Sequence, residues 1–304
     1  MSLRRVAMRF RACALIAAAA LACAQGALAA PVAVTDDIGQ QVRLRSPAQR
    51  IVSLAPHATE LLFAAGAGEL VVGTVAYSDF PEAAKKIPRV GDSSLLDLER
   101  IVQLKPDLLV VWFHGNSEQH LARLRALGIP MFYSEPKTLA DIASSLTRLG
   151  QLAGTQAAAA RASASYAREL GDLRERYASR SPVTLFFQVW KSPLLTINGE
   201  QIISDAIRAC GGRNIFEHAA ALVPTVDVEA VASANPEAIV TTGTGGNDDD
   251  AFDVWRKLPS LRATSGGNLL LVRTETLGRA APRVLEGVAA LCRALDGVRQ
   301  RRRP

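Results

Sequence analysis

One stretch constrains the fold of this chain more than any other: residues 155–180, TQAAAARASASYARELGDLRERYASR. It holds no proline and a single glycine, Gly171, among good helix formers, with Thr155 placed as an N-cap. Pro182 ends it, because proline cannot donate to the helical ladder and keeps the preceding residue out of the helical region. At about 1.5 Å per residue, some two dozen residues make a rod of roughly 35 Å. Tyr166, Leu170, Leu173 and Tyr177 share one face, while Arg168, Glu169, Asp172, Arg174 and Glu175 lie elsewhere. Taken alone, this is a surface helix with one buried stripe. Similar strand–helix patterns precede and follow it, which predicts two parallel-sheet α/β lobes, residues 30–154 and 181–304, joined by one long backbone helix.

Those patterns are specific. Residues 32–44 alternate around Asp36-Asp37-Ile38-Gly39 as a hairpin. Apolar strands are expected at 50–54, 71–74, 108–112 and 130–133, with helices at 57–65, 98–104 and 117–127 between them. After the long helix the pattern resumes: strands at 183–189, 238–241 and 269–272, helices at 201–210, 228–234 and 282–295. Apolar strands alternating with helices imply parallel sheets covered on both faces. One correspondence ties the halves together. Glu99 is followed after seven residues by Pro106-Asp107 and a strand, and Glu229 at the same offset by Pro236-Glu237 and a strand. A glutamate in a first helical turn is favoured by the macrodipole at ~0.3–1 kcal/mol. Two at matched places are a candidate docking pair.

The N-terminus carries an address. Arg4, Arg5, Arg9 and Arg11 precede an apolar run, and Ala27-Leu28-Ala29 forms an A-x-A cleavage site, so residues 1–29 read as a secretory signal peptide. Cys23 follows Ala20-Leu21-Ala22, without the leucine that a lipoprotein signal places three residues earlier. Periplasmic export of a soluble chain is therefore favoured, and a lipid anchor at Cys23 is the alternative. Removing the leader takes four arginines and no acid from a formal charge of +6. No basic, aromatic-interleaved stripe remains to recruit nucleic acid. The C-terminal Arg299, Arg301, Arg302 and Arg303 read as a solvated, frayed end. Outside the leader only Cys210 and Cys292 remain. Two cysteines in an exported chain read as one disulfide, with separate buried thiols as the alternative. Its loop of about 80 residues would contribute roughly 4 kcal/mol through chain entropy.

Two lobes leave a cleft, and ligands favour the carboxyl ends of parallel strands. The residues expected there are Pro56 and His57, Tyr77 to Phe80, Trp112 to Asn116, Trp190 to Ser192, and Glu275 to Arg279. Their aromatics suit a large, flat, partly apolar ligand. Enzymatic readings fare poorly: there is no G-x-S-x-G elbow, no H-E-x-x-H and no P-loop. Three aspartates close behind Gly243-Thr244-Gly245-Gly246 disfavour phosphate, so that run reads as a mobile surface loop. The four histidines lack metal-ligand spacing.

Several ordered motifs resemble one family. Arg50-Ile51-Val52-Ser53-Leu54-Ala55-Pro56 with Thr59-Glu60-Leu61, then Tyr77-Ser78-Asp79-Phe80-Pro81, then LERIVQLKPDLLVVW at 98–112, are similar to the periplasmic cobalamin-binding proteins. Cys210-Gly211-Gly212 with Asn214-Ile215-Phe216, and Arg279-Ala280-Ala281-Pro282-Arg283 ahead of Leu291-Cys292, extend the likeness. These belong to the helical-backbone receptors for iron-siderophores, haem and cobalamin that feed ABC importers. The resemblance implies a monomeric, non-catalytic receptor without a resident cofactor, its ligand cobalamin, with haem or an iron-siderophore as the alternative. A hydrolase on the same frame is the competing class and lacks a motif.

Residue by residue, the resemblance implies that Tyr77 packs on the corrin and that Glu275, Thr276, Leu277, Gly278 and Arg279 form a ligand-contacting segment. His57, Trp112 and Trp190 complete the expected contacts, with Tyr77 or His57 beside the iron if haem is bound. Glu99 and Glu229 match glutamates that meet arginines on the importer's membrane subunits, and Cys210 and Cys292 match the family disulfide. The chain departs at Ser93 and Val223, where familiar members carry tryptophan, and at Thr276 and Leu277, where they carry bulky aromatics.

Overall fold

The computed structural model describes residues 30–92, 95–243, 250–273 and 276–302. The leader with Cys23, and also Ser93, Glu275, Arg303 and the glycine-rich run beyond Gly243, lie outside the described residues. A hairpin of β1 (Val32–Thr35) and β2 (Gln41–Leu44) opens the chain. The first lobe then runs β3 (Ile51–Ser53), α1 (Pro56–Ala64), β4 (Val71–Thr74), α2 (Leu98–Gln103), β5 (Leu108–Trp112), α3 (Glu118–Ala126), β6 (Met131–Ser134) and α4 (Leu139–Ala153). The backbone helix α5 (Gln156–Ala178) follows. The second lobe runs β7 (Val183–Gln188), β8 (Trp190–Lys191), β9 (Leu194–Leu195), α6 (Ile202–Ala209), β10 (Gly212–Asn214), α7 (Val228–Ala234), β11 (Ala238–Gly243), α8 (Asp253–Arg256), α9 (Arg262–Ser265), β12 (Leu269–Arg273) and α10 (Val284–Arg301).

Each lobe is built on a four-stranded parallel sheet, ordered β4-β3-β5-β6 in the first and β10-β7-β11-β12 in the second. Setting aside the small β8–β9 hairpin, both follow one scheme: second strand, first, third, fourth. The likeness extends to single hydrogen bonds. Asp97 and Asp227 cap α2 and α7, accepting from the amides of Arg100 and Ala230. After these helices Lys105 and Asn235 take left-handed backbone just before a proline, at φ 47° and 44°. The next acid clamps the start of the lobe's first strand: Asp107 accepts from the amides of Gln49 and Arg50, and Glu237 from that of Thr184.

Strand alternation assigns the core. Leu108 and Val110 of β5 face one cluster while Leu109 and Val111 face another, all at 0 % exposure, because successive strand residues point to opposite sides. Leu185 and Phe187 of β7 likewise oppose Phe186. The inward cluster does not stop at the lobe boundary. It runs from Leu139, Ile142 and Leu146 on α4 through Tyr166, Leu170 and Tyr177 on α5 to Ile203 and Ile207 on α6 and Leu291 on α10. A polar pin flanks it: Asp205 of α6 accepts from the Leu139 amide at 2.9 Å and pairs with Arg174 at 3.0 Å. The Tyr166 hydroxyl donates to the Leu139 carbonyl at 2.9 Å.

Three expectations are corrected or refined. Thr155 stands at the N-cap of α5 as expected, but its side chain makes no capping bond; its hydroxyl donates instead to the Ala65 carbonyl at 2.7 Å, fastening the start of the rod to the loop after α1. Arg299, Arg301 and Arg302 are docked rather than frayed, because backbone carbonyls, Asn268 and Glu237 lie within their reach. Arg299 donates to Ser181, Cys210 and Gly211 carbonyls, Arg301 to Asn268, and Arg302 to Glu237. An unforeseen helix, α4, precedes the rod and begins with a Thr138–Asp141 capping box. Cys210 and Cys292 are bonded, with Cα atoms 4.7 Å apart, tying α6 to α10.

α4 and α5 pack closely where Gly150 faces Ala159: a Cβ at Gly150 would stand 2.2 Å from that of Ala159. Overpacking of this kind costs about 1–3 kcal/mol. Gly150→Ala should therefore lower the melting temperature measured by circular dichroism, and Ala159→Gly in the same chain should restore part of it. An unchanged melt would mean that the two helices part freely.

Candidate functional site

The cleft is lined by loops leaving the strands. β3 runs into α1 through Leu54 and Ala55, and proline at the first helical position, Pro56, suits a helix start because its missing N–H would have no partner there. His57, next in line, is buried. Its Nε2 lies 3.2 Å from the Ser134 hydroxyl at the end of β6, and its ring meets Trp112 edge to face at 5.4 Å. Burial pushes the His57 pKa down to about 4; a hydrogen bond at Ser134 opposes this, and the charge of Arg279 adds to it. The imidazole is thus neutral at pH 7.

Trp112 ends β5, and its loop is fixed by Asn116, which accepts from the Trp112 amide at 2.8 Å and donates to the Leu54 carbonyl at 3.1 Å. The indole lies against Gly115, where a Cβ would fall 1.8 Å from it. His114 pairs with Glu135 at 3.3 Å. Together Pro56, His57, Trp112, His114, Gly278 and Ala280 line a cavity of about 360 Å³, closed on its other sides by Glu135, Pro136 and Lys137 and by Asn198, Glu200, Gln201, Ile202, Ala220 and Leu222. His57, Trp112 and Gly278 thus meet as the strand order suggested. The segments 135–137 and 198–202 were not foreseen, although Glu135 directly follows β6, the kind of position from which the other cleft residues were drawn.

The remaining expected residues are placed differently. Tyr77 is 73 % exposed and does not line this cavity. Trp190 is 60 % exposed on the β8–β9 hairpin, where its indole N–H donates to the Ser192 carbonyl. Thr276 and Leu277 are buried, Leu277 within the core against α10, where a Cβ at Gly287 would come within 2.7 Å of the Leu277 nitrogen. The Leu277 side chain is therefore core. Glu99 and Glu229 are exposed near the starts of α2 and α7. Among the described residues no three His, Cys, Asp or Glu side chains gather as metal ligands, and no helix is long and apolar enough to cross a membrane.

Arg279 joins the lobes. Its Nη1 donates to Glu60 of α1 at 3.2 Å and to the Tyr77 carbonyl at 3.3 Å, while Arg283 Nη1 lies 3.6 Å from the same Glu60 oxygen. Burial pushes the Glu60 carboxyl above the ordinary range, and the charges of Arg283 and Arg279 offset part of that.

A histidine held neutral by burial makes stability depend on pH. The unfolded chain takes up the proton near pH 6.5 and the fold only near 4, so stability is complete above pH 6.5 and falls as pH drops through that window. The loss is worth roughly 3 kcal/mol at the low end. Melting temperature against pH should be flatter between 4 and 6.5 in His57→Gln than in the natural protein. Glu60 is common to both, so the difference isolates the imidazole; identical slopes would count against this assignment.

Comparisons with known proteins agree with this geometry. The chain matches the periplasmic binding protein family model over residues 51–264. It is 37% identical over 251 residues to a vitamin B12-binding protein of Yersinia pestis, covering 83% of this chain and 88% of that one. It superposes on the crystal structure of the periplasmic vitamin B12-binding protein of Vibrio cholerae with a TM-score of 0.76 at 33% identity, covering 84% of this chain and 99% of that one. A periplasmic haem-binding protein of Pseudomonas aeruginosa matches with a TM-score of 0.69 at 27% identity, covering 81% and 92%. With two like parallel-sheet lobes, a backbone helix and a cleft at the strand ends, the chain belongs to the periplasmic binding protein family.

Proposed function

We propose that this chain is a non-catalytic receptor that captures a corrinoid in the cleft and hands it to the membrane subunits of an ABC importer. The observation that carries the reading is the cavity floored by His57 and Trp112 between the lobes, in a chain whose relatives at 37% and 33% identity are vitamin B12-binding proteins. At about 360 Å³ the cavity stands at the small end of ligand pockets, so a ligand the size of a tetrapyrrole would extend past its rim over Tyr77. Aromatic faces take the flat conjugated ring. Asn198, Gln201, Glu135 and Lys137 supply donors and acceptors for amide side chains around its edge.

Residues 1–29 direct export to the periplasm and are removed, residues 30–154 and 181–304 form the lobes, and the receptor works as a monomer. The core that runs between the lobes limits closure to small angles. Glu99 and Glu229 meet basic residues of the importer, setting register and encounter rate more than affinity. The likeness to the haem-binding protein supports haem as the second reading, with Tyr77 or His57 beside the iron.

Titration of the mature protein with cyanocobalamin and haemin in parallel, followed by tryptophan fluorescence with inner-filter correction, tests the ligand. Saturable one-to-one quenching by cyanocobalamin is expected, with Tyr77→Ala weakening it up to about tenfold, the scale of one aromatic contact. Saturation by haemin alone would move the ligand to haem. For docking, Glu99→Arg with Glu229→Arg should abolish uptake of labelled cyanocobalamin by cells while leaving its Kd unchanged. Undiminished uptake would remove the glutamates from the interface.

A further inference from the structure

Tyr77 pays for its exposure in backbone strain. Its φ is 63°, in the left-handed region that a side chain with a Cβ disfavours, yet its ring is 73 % exposed, so little of that strain is offset by burial. Such a conformation persists only where neighbours over-determine it. Here they do so from both lobes. Thr59 of α1 donates to the Ser78 hydroxyl at 3.2 Å, and Arg89 donates to the Ser78 carbonyl at 3.0 Å. From the second lobe Arg279 donates to the Tyr77 carbonyl at 3.3 Å, and the Arg283 guanidinium lies over the Phe80 ring at 4.0 Å.

Both of these arginines converge on one oxygen of Glu60, which is 3 % exposed. Its other oxygen is buried without a hydrogen-bond partner. A buried carboxylate left half-satisfied is a costly device for stability alone. Its geometry is that of an anchor: one carboxylate on α1 aims two guanidinium groups from the opposite lobe at the two ends of the segment 77–80.

We propose that Glu60 is a positioning residue for ligand capture, holding Arg279 so that Arg279 fixes the strained Tyr77 backbone and presents its ring at the edge of the cleft. This rests on the reading that Tyr77 packs against the ligand. Glu60 touches no ligand itself; it acts through Arg279 and Tyr77, and it couples the shape of the cleft edge to the approach of the lobes.

The test is a double-mutant cycle of Glu60→Gln and Tyr77→Ala, titrated with cyanocobalamin, with each variant's melting temperature recorded. Glu60→Gln alone should weaken binding about tenfold. In the Tyr77→Ala background it should weaken it less than twofold, which a merely structural role would not produce. Independent losses that multiply, or unchanged binding by Glu60→Gln, overturn the proposal. If the natural protein fails to bind cyanocobalamin, or Tyr77→Ala binds as tightly as the natural protein, the ligand reading has failed and the anchor is judged without ligand. Amide hydrogen exchange over residues 77–80 must then accelerate in Glu60→Gln relative to the rest of the chain, and unchanged exchange there overturns the anchor. Should Glu60→Gln not fold, Arg279→Met replaces it in both experiments with the same expected outcomes, since methionine keeps the bulk but can donate neither to Glu60 nor to the Tyr77 carbonyl.

Discussion

The inward core that passes from one lobe to the other is the constraint on which the rest of the molecule depends. α4 and α5 are packed against each other and against α6 and α10, so neither sheet owns its covering layer outright. Asp205 and Arg174 pin the rim of that layer. Because the interior is close-packed, the lobes cannot rotate far apart without opening voids along α5. If closure is limited to small angles, as proposed above, the strand ends that carry His57, Trp112 and the loop 276–280 stay at nearly fixed separation. Recognition must then reside in side chains and loop edges rather than in a sweeping closure.

That division of labour explains where unfavourable groups are tolerated. His57 and Glu60, both on α1, are buried, the first neutral and the second with one oxygen lacking a partner, and Tyr77 holds a left-handed backbone in the loop after β4. Each local cost is borne by the rigid frame beneath it. By contrast, the far ends of the sheets carry well-satisfied polar groups, with Asp107 and Glu237 clamping strand starts and Arg299 and Arg302 engaging carbonyls and Glu237.

Much of this was legible before any coordinates, and the rest was not, for physical reasons. Strands such as 108–112 announce themselves because a strand covered on both faces is a continuous apolar run, and the rod 155–180 by its length and helix formers. The paired glutamates and the Cys210–Cys292 bond follow from sequence spacing and redox address. α4 escaped because only Gly154 and Thr155 separate it from α5, so two helical patterns abut, although Thr138 and Asp141 spelled its start. Thr155 takes the N-cap position that the sequence marks, but its hydroxyl binds the Ala65 carbonyl, because a hydroxyl before a helix serves equally well to bind a carbonyl elsewhere and only tertiary structure chooses. The cavity walls at 198–202 depend on which loops meet across 140 or so residues of chain, information that local patterns do not carry. The arginine tail looks solvated in sequence because its acceptors, backbone carbonyls together with Asn268 and Glu237, lie roughly 30 to 120 residues away.

The shared strand order, with its matched caps and clamps, makes the two lobes repeats of one plan. Glu99 and Glu229 stand at equivalent points of the two halves, each one residue into a helix capped by aspartate. A partner that receives both in the same way must itself repeat, so a pair of like subunits related by a twofold axis is the natural counterpart.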